Sequence, residues 1–169
     1  MTNIGRIEKD KYYLNIAEQV SERSTCLTKH WGAVIVKDDV IISTGFNGAP
    51  RKMTDCITRG YCPLNAYRRK NNLGRGTAYE YCPSVHSEMN AMIFADKKDM
   101  KGATLYLVGK EMTSLDGGFS YVTNPAPCSI CKKLIINAGI DKVITRLGPD
   151  NSEIFIVDHW SDDKIMGGY

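Results

Sequence analysis

The chain has 169 residues, 43% of them hydrophobic and 24% charged, the balance of one ordinary globular domain with a core of its own. Its net charge of +3 is too small to announce a nucleic-acid-binding surface, and no apolar run is long enough to cross a membrane as a helix. Met1 to Lys11 is polar and lacks the apolar centre of a secretory leader. A cytoplasmic location is therefore expected (host cytoplasm, if the source is viral), where the six cysteines serve as metal ligands or free thiols rather than disulfides.

In chain order, residues 8–24 carry Tyr12, Tyr13, Ile16, Ala17 and Val20 at the spacing of one helical face. Ala33–Val36 and Val40–Ser43 read as strands joined by the polar turn Lys37-Asp38-Asp39. Thr44 to Pro50 reads as a loop from its glycines, Asn-Gly step and proline. Residues 51–83 are irregular and polar, with a helical piece near Leu64 to Lys70. They read as an insertion within a single domain, residues 1–169. A helix is expected from His86 to about Lys97, with Met89, Met92, Ile93 and Ala95 turned inward. A strand follows at Thr104–Val108, then a glycine- and proline-bearing loop over 110–127. A further helix begins at Cys128 and closes at Gly139, where glycine suits a C-terminal cap. Val143–Thr145 and Ile154–Val157 are the remaining strands. Strands alternating with helices predict an α/β layered fold.

Two short stretches carry the chemistry. His86-Ser87-Glu88 and Pro127-Cys128-Ser129-Ile130-Cys131 offer one imidazole, two thiolates and a spare carboxylate. A catalytic zinc takes three protein ligands and leaves a fourth position to water. His86, Cys128 and Cys131 fill three places, and Glu88 stays free for proton transfer. Two thiolates weaken zinc as a Lewis acid, and positive helix ends would partly restore it, so both helix N-termini are expected to meet at the metal. A C-x-x-C pair alone also fits a redox site, but that explains neither His86 nor Glu88. A non-catalytic zinc-stapled module is the alternative from another class, and the free Glu88 speaks against it. The combined H-x-E and P-C-x-x-C pattern is similar to that of the zinc nucleobase deaminases.

Further segments resemble the deoxycytidylate (dCMP) deaminase family of the cytidine-deaminase-like superfamily, over about Tyr12 to Arg146. They are Ser24-Thr25-Cys26-Leu27, Gly32-Ala33-Val34-Ile35-Val36, Thr44-Gly45-Phe46-Asn47-Gly48-Ala49-Pro50, His86-Ser87-Glu88-Met89-Asn90-Ala91, Gly102-Ala103-Thr104-Leu105-Tyr106 and Ile135-Ile136-Asn137-Ala138-Gly139-Ile140. The resemblance implies a three-layer α/β/α fold with a mixed central sheet of about five strands. It implies zinc-dependent hydrolysis of dCMP to dUMP and ammonia, supplying thymidylate synthesis, with Glu88 catalytic and His86, Cys128 and Cys131 on the metal. By the same analogy Asn47 holds the substrate sugar, although Asn-Gly alone reads as a plain turn.

Family members commonly assemble as hexamers, and many are activated by dCTP with Mg2+ and inhibited by dTTP. Regulated relatives often have an arginine where this chain has Lys97, which keeps the charge but loses bidentate phosphate geometry. Phage and bacterial relatives place a second, structural zinc beside the insertion with cysteines matching Cys26 and Cys56. Cys62 and Cys82 would complete that set, the alternative being buried free thiols. Arg68, Arg69, Lys70, Arg75 and Arg146 are candidates for the substrate phosphate, and Asn90 and Tyr121 for shaping the pocket. His30 and His159 carry no supporting pattern. Deamination of dCTP, cytidine or a polynucleotide base is the nearest alternative, and the modest charge gives the polynucleotide little support.

Overall fold

The computed structural model describes residues 5–114 and 116–160. Helix α1 (Lys9–Ser21) precedes a hairpin of β1 (Lys29–Lys37) and β2 (Val40–Phe46). Two short helices come next, α2 (Cys56–Arg59) and α3 (Pro63–Lys70). Then follow α4 (Ser87–Ile93), α5 (Lys97–Met100), β3 (Thr104–Met112), β4 (Phe119–Tyr121), α6 (Ser129–Ala138), β5 (Lys142–Arg146) and β6 (Ser152–Ile156). The strands form one sheet in the order β2-β1-β3-β5-β6, with β4 paired to the far end of β3. β3 and β5 run parallel, joined across the sheet by α6, and the other pairings are antiparallel. The sheet is mixed, as the family resemblance implies, with six strands rather than five.

Alternation along the strands sorts their side chains into two cores. Ala33, Ile35, Leu105, Leu107 and Val143 face one way and pack with Ala91, Cys131, Ile135 and Ile140. Val34, Val36, Tyr106, Val108 and Ile144 face the other way, onto Tyr13, Leu14 and Ala17 of α1. The domain is therefore three layers: α1, the sheet, and α4 with α6. No helix among the described residues is long and apolar enough to cross a membrane.

Several expectations are corrected. On α1 it is Leu14, not Tyr12, that is buried, because the stripe facing the sheet runs through Tyr13, Leu14, Ala17 and Ser21. The expected helix over 86–97 is two pieces. Its apolar period carries Met89, Met92 and Ala95 onto the core, but the chain leaves the helix after Ile93, which is exposed, and Asp96 opens α5 in extended conformation. The loop expected over 110–127 contains β4, and β3 runs on to Met112 because Lys110–Met112 pair with Phe119–Tyr121. β1 starts at Lys29 and β2 continues to Phe46, since polar residues at those strand ends also find ladder partners.

Two glycines set how closely the helices approach. A Cβ on Gly32 would lie 2.0 Å from the Ala17 carbonyl oxygen of α1. One on Gly45 would lie 2.3 Å from the Ala91 nitrogen and 2.4 Å from the Ser87 carbonyl oxygen of α4. Both obstacles are helix backbone, which cannot swing aside. The Ser43 hydroxyl, donating to the Ala91 carbonyl at 2.7 Å, then ties α4 down on β2. Gly45→Ala is accordingly expected to destabilise the fold by at least about 2 kcal/mol, read as a lowered urea midpoint at unchanged slope.

Candidate active site

His86 and Cys128 are the residues that open α4 and α6, each with an extended backbone (ψ 154° and 166°) before the first helical turn. Each side chain is thus set at the positive end of its helix. The His86 Nδ1 lies 3.5 Å from the Cys128 sulfur and 3.4 Å from the Cys131 sulfur. Cys131 is fully buried, and His86 and Cys128 are half-buried. The two helix starts meet, as the sequence predicts.

The protons of this cluster are strongly displaced. The Cys128 thiol is drawn down to about 4, chiefly by its hydrogen bond with the Cys131 side chain, with His86 adding to the effect and burial opposing it. Cys131 is pushed far up by the same bond, then by burial and by Glu88. His86 is raised, first by its bond with Cys128. Mutual contact thus favours charge on Cys128 over Cys131 and favours the protonated form of His86. A divalent cation replaces those protons with one bound charge. Around a tetrahedral zinc, sulfur at about 2.3 Å and nitrogen at about 2.0–2.1 Å lie roughly 3.6 Å apart. The spacings in the structure match, so the residues fit zinc.

Glu88 sits one residue into α4 and is 5% exposed. Its Oε2 accepts a 2.9 Å hydrogen bond from the hydroxyl of the fully buried Ser87, and its carboxylate lies against Cys131. Ser87 was not among the sequence candidates. Its signal is the small polar residue enclosed between ligand and carboxylate, which only the burial reveals. The Asn90 amide donates to the Phe46 carbonyl at 2.7 Å, and Gly48 and Val85 exchange both backbone bonds. The loop after β2 is thereby fastened to the residue just before His86. Asn47 is buried in that loop; its Oδ1 accepts from the Trp31 N–H at 2.8 Å and its Nδ2 donates to the Lys29 carbonyl at 2.9 Å. Half of the amide's hydrogen-bonding capacity is thus committed to β1.

Arg146 is not brought to this cluster. It lies on the α1 face, buried in an ion pair with Glu18 and a 2.7 Å bond to Asn15. Tyr121 lies on that same face, its hydroxyl bonded to Glu18. In the insertion, Arg68 donates twice to the Thr77 carbonyl and lies over the Tyr79 ring, beside a groove of about 650 Å³ that Arg69 also lines. Cys26, Cys56, Cys62 and Cys82 are neighbours: burial, then the other three cysteines, raise the Cys56 thiol to about 11. Among the described residues, however, His86–Cys128–Cys131 is the one His/Cys/Asp/Glu group whose ligand atoms all lie within 4.8 Å of one another.

A three-layer α/β/α domain that sets a histidine and two cysteines at paired helix starts, with a buried carboxylate alongside, has the architecture of the zinc nucleobase deaminases. Residues 7–147 match the family described as the cytidine and deoxycytidylate deaminase zinc-binding region. The deoxycytidylate deaminase of Mycobacterium phage D29 is 34% identical over 147 residues, covering 83% of this chain and 96% of that protein. The deoxycytidylate deaminase of Saccharomyces cerevisiae is 30% identical over 145 residues, covering 85% of this chain and 39% of the longer yeast protein. The crystal structure of dCMP deaminase from the cyanophage S-TIM5 in apo form superposes with a TM-score of 0.54 at 26% identity, covering 83% of this chain and 84% of that one. The chain belongs to the cytidine and deoxycytidylate deaminase family.

Cys131→Ala removes a fully buried ligand. Zinc measured by atomic absorption is expected to fall by one equivalent per chain relative to the unaltered protein.

Proposed function

We propose that this protein hydrolyses dCMP to dUMP and ammonia, consuming one water. The observation that carries the reading is the Glu88 carboxylate: buried, held at one oxygen by Ser87 and set beside the His86–Cys128–Cys131 donors. The deoxycytidylate deaminases among its relatives support dCMP as the substrate. Zinc bound by the three donors would supply Lewis acidity and lower the pKa of the attacking water. The protein supplies the rest. Ser87 occupies Oε2, which leaves Oε1 of Glu88 to take the proton of the water. Glu88 then passes that proton to ring N3 as the water oxygen bonds to C4, takes the second proton from the new C4 hydroxyl, and delivers it to the exocyclic nitrogen as the C4–N bond breaks and ammonia leaves. Burial of Glu88 and Cys131 lowers the local dielectric and strengthens each of these transfers. The uncommitted N–H of Asn47 is assigned to the substrate sugar, since its other contacts fix the amide on β1.

Further properties belong to the same proposal. The domain is single, and residues 51–83 form its cysteine-bearing insertion. Cys26, Cys56, Cys62 and Cys82 hold a second, structural zinc, supported by their mutual proximity around the buried Cys56. The chain self-associates, supported by apolar side chains left exposed on the outer helices: Ile93 and Phe94 at the end of α4, Ile130 and Leu134 on α6. Regulation by dCTP with Mg2+ and by dTTP is implied by the family resemblance, with Lys97 the departure from the regulated pattern, and a cytoplasmic site of action agrees with cysteines used as metal ligands rather than in disulfides.

Ammonia release from dCMP, deoxycytidine and dCTP, assayed side by side, tests the substrate. Turnover is expected with dCMP, and none with any of the three would overturn the reading. Glu88→Gln should keep its zinc and lose about 1,000-fold or more in kcat; near-normal turnover in that variant would remove Glu88 from the mechanism. A separate count of total zinc is expected to give two per chain, and a value of one would dispose of the second site.

A further inference from the structure

Asn15 and Glu18 of α1 and Glu22, which caps its C-terminal end in helical conformation, stand at three- and four-residue spacing and share one stripe. Together they reach three different strands. Glu22 pairs with Lys110 of β3, whose side chain is 2% exposed. Glu18 pairs with the buried Arg146 of β5, and each of its carboxylate oxygens lies 3.0 Å from the hydroxyl of Tyr121, on β4. Asn15 accepts from the second Arg146 nitrogen at 2.7 Å. The Lys110 amine also lies 4.6 Å from the centre of the Phe119 ring, again on β4. Two buried cations are matched by two carboxylates, and removal of Glu18 or Glu22 would leave a buried cation without its partner.

β4 needs such an anchor. It is three residues long and is paired with β3 alone among the described strands. The chain beyond it is held at both ends. Val122 donates to the Gly109 carbonyl at 3.0 Å, and Pro125 and Pro127 are both buried. Each proline restricts itself and holds the residue before it in extended conformation. Residues 122–127 thus form a short strut running from Tyr121 to Cys128. We propose that Glu18, Tyr121 and Arg146 are positioning residues for the metal centre: clamping β4 from the opposite face of the sheet, they set where the strut delivers Cys128 beside His86. Arg146, whose residue type invites a phosphate contact, serves this clamp instead. The inference rests on the zinc-centre reading of the site but not on the identity of the substrate.

The test is zinc release into excess chelator from the zinc-loaded protein, the relevant phase being the one that disappears in Cys128→Ser. Tyr121→Phe is expected to accelerate that phase about 10-fold, the scale of losing an outer partner of a metal site. Pro125→Ala, which softens the strut but leaves every bond of the network in place, should accelerate it as well, and it decides the matter if Tyr121→Phe does not fold. Tyr106→Phe serves as the stability control. It loses a 2.9 Å bond to Asp10 on the same face of the sheet, away from the strut, and should release zinc at the rate of the unaltered protein. Unaltered release in both Tyr121→Phe and Pro125→Ala would overturn the proposal, and so would equal acceleration in Tyr106→Phe. Because the readout is zinc and not turnover, failure here is distinguishable from failure of the dCMP assay.

Discussion

Everything in this molecule that bears on chemistry depends on two helices starting at the same place. The His86 nitrogen lies within 3.5 Å of each of two sulfurs, and all three ligand atoms lie within 4.8 Å of one another. The downward displacement of Cys128 and the upward one of Cys131 have one leading cause, the bond between their side chains. The fold holds this arrangement by packing rather than by local preference. α4 is seven residues long, too short to persist alone, so its position comes from contact with the sheet. Gly45 lets its backbone touch β2, and Ser43 and Asn90 then fasten it. The sheet fixes the helices, and the helices fix the ligands.

That arrangement also answers an electrostatic problem. Two thiolates and a neutral imidazole would leave a bound zinc with little net charge, which suits retention better than activation of water. The positive ends of α4 and α6 point at the same spot and restore part of the field without adding a titratable group. Glu88 occupies the remaining side, buried but supplied with a hydroxyl donor from Ser87. A carboxylate in that position without a partner would be costly to desolvate. Ser87 is thus as much a requirement of the burial as of the chemistry, which explains how it escapes a reading that searches for ligands and bases alone.

How much of this was legible in the chain follows from the range of each signal. His86, Glu88, Cys128 and Cys131 announce themselves because zinc chemistry restricts residue type and spacing within a few positions, and the helix starts follow from the same segments. Gly139, in left-handed conformation at the end of α6, is a local signal of the same kind. The extent of the strands was less legible. Lys29 and Lys110 do not resemble strand residues, and they join the sheet because they face each other's strands at its upper end. The break of the helix after Ile93 was hidden because Met89, Met92 and Ala95 keep helical spacing on either side of it. The position of Tyr12 was misjudged by one step around the helix, which the sheet decides and the helix alone does not.

Arg146 is the most instructive case. On β5 the side chains alternate, so Val143 and Thr145 share one face, and Ile144 and Arg146 the other. Val143 packs with Cys131 on the face of the metal ligands, and Ile144 packs with α1. Arg146 therefore belongs to the α1 side, whatever its charge suggests, and a guanidinium buried there must find a carboxylate. Glu18 is that carboxylate, and once it is fixed by Arg146 it has a second oxygen to offer Tyr121. One parity argument thus places the arginine on the face opposite the metal ligands, where its partner Glu18 also holds Tyr121 of the three-residue strand. The chemistry sits on one face of the sheet, and the ion pairs on the other face keep the connection between them taut.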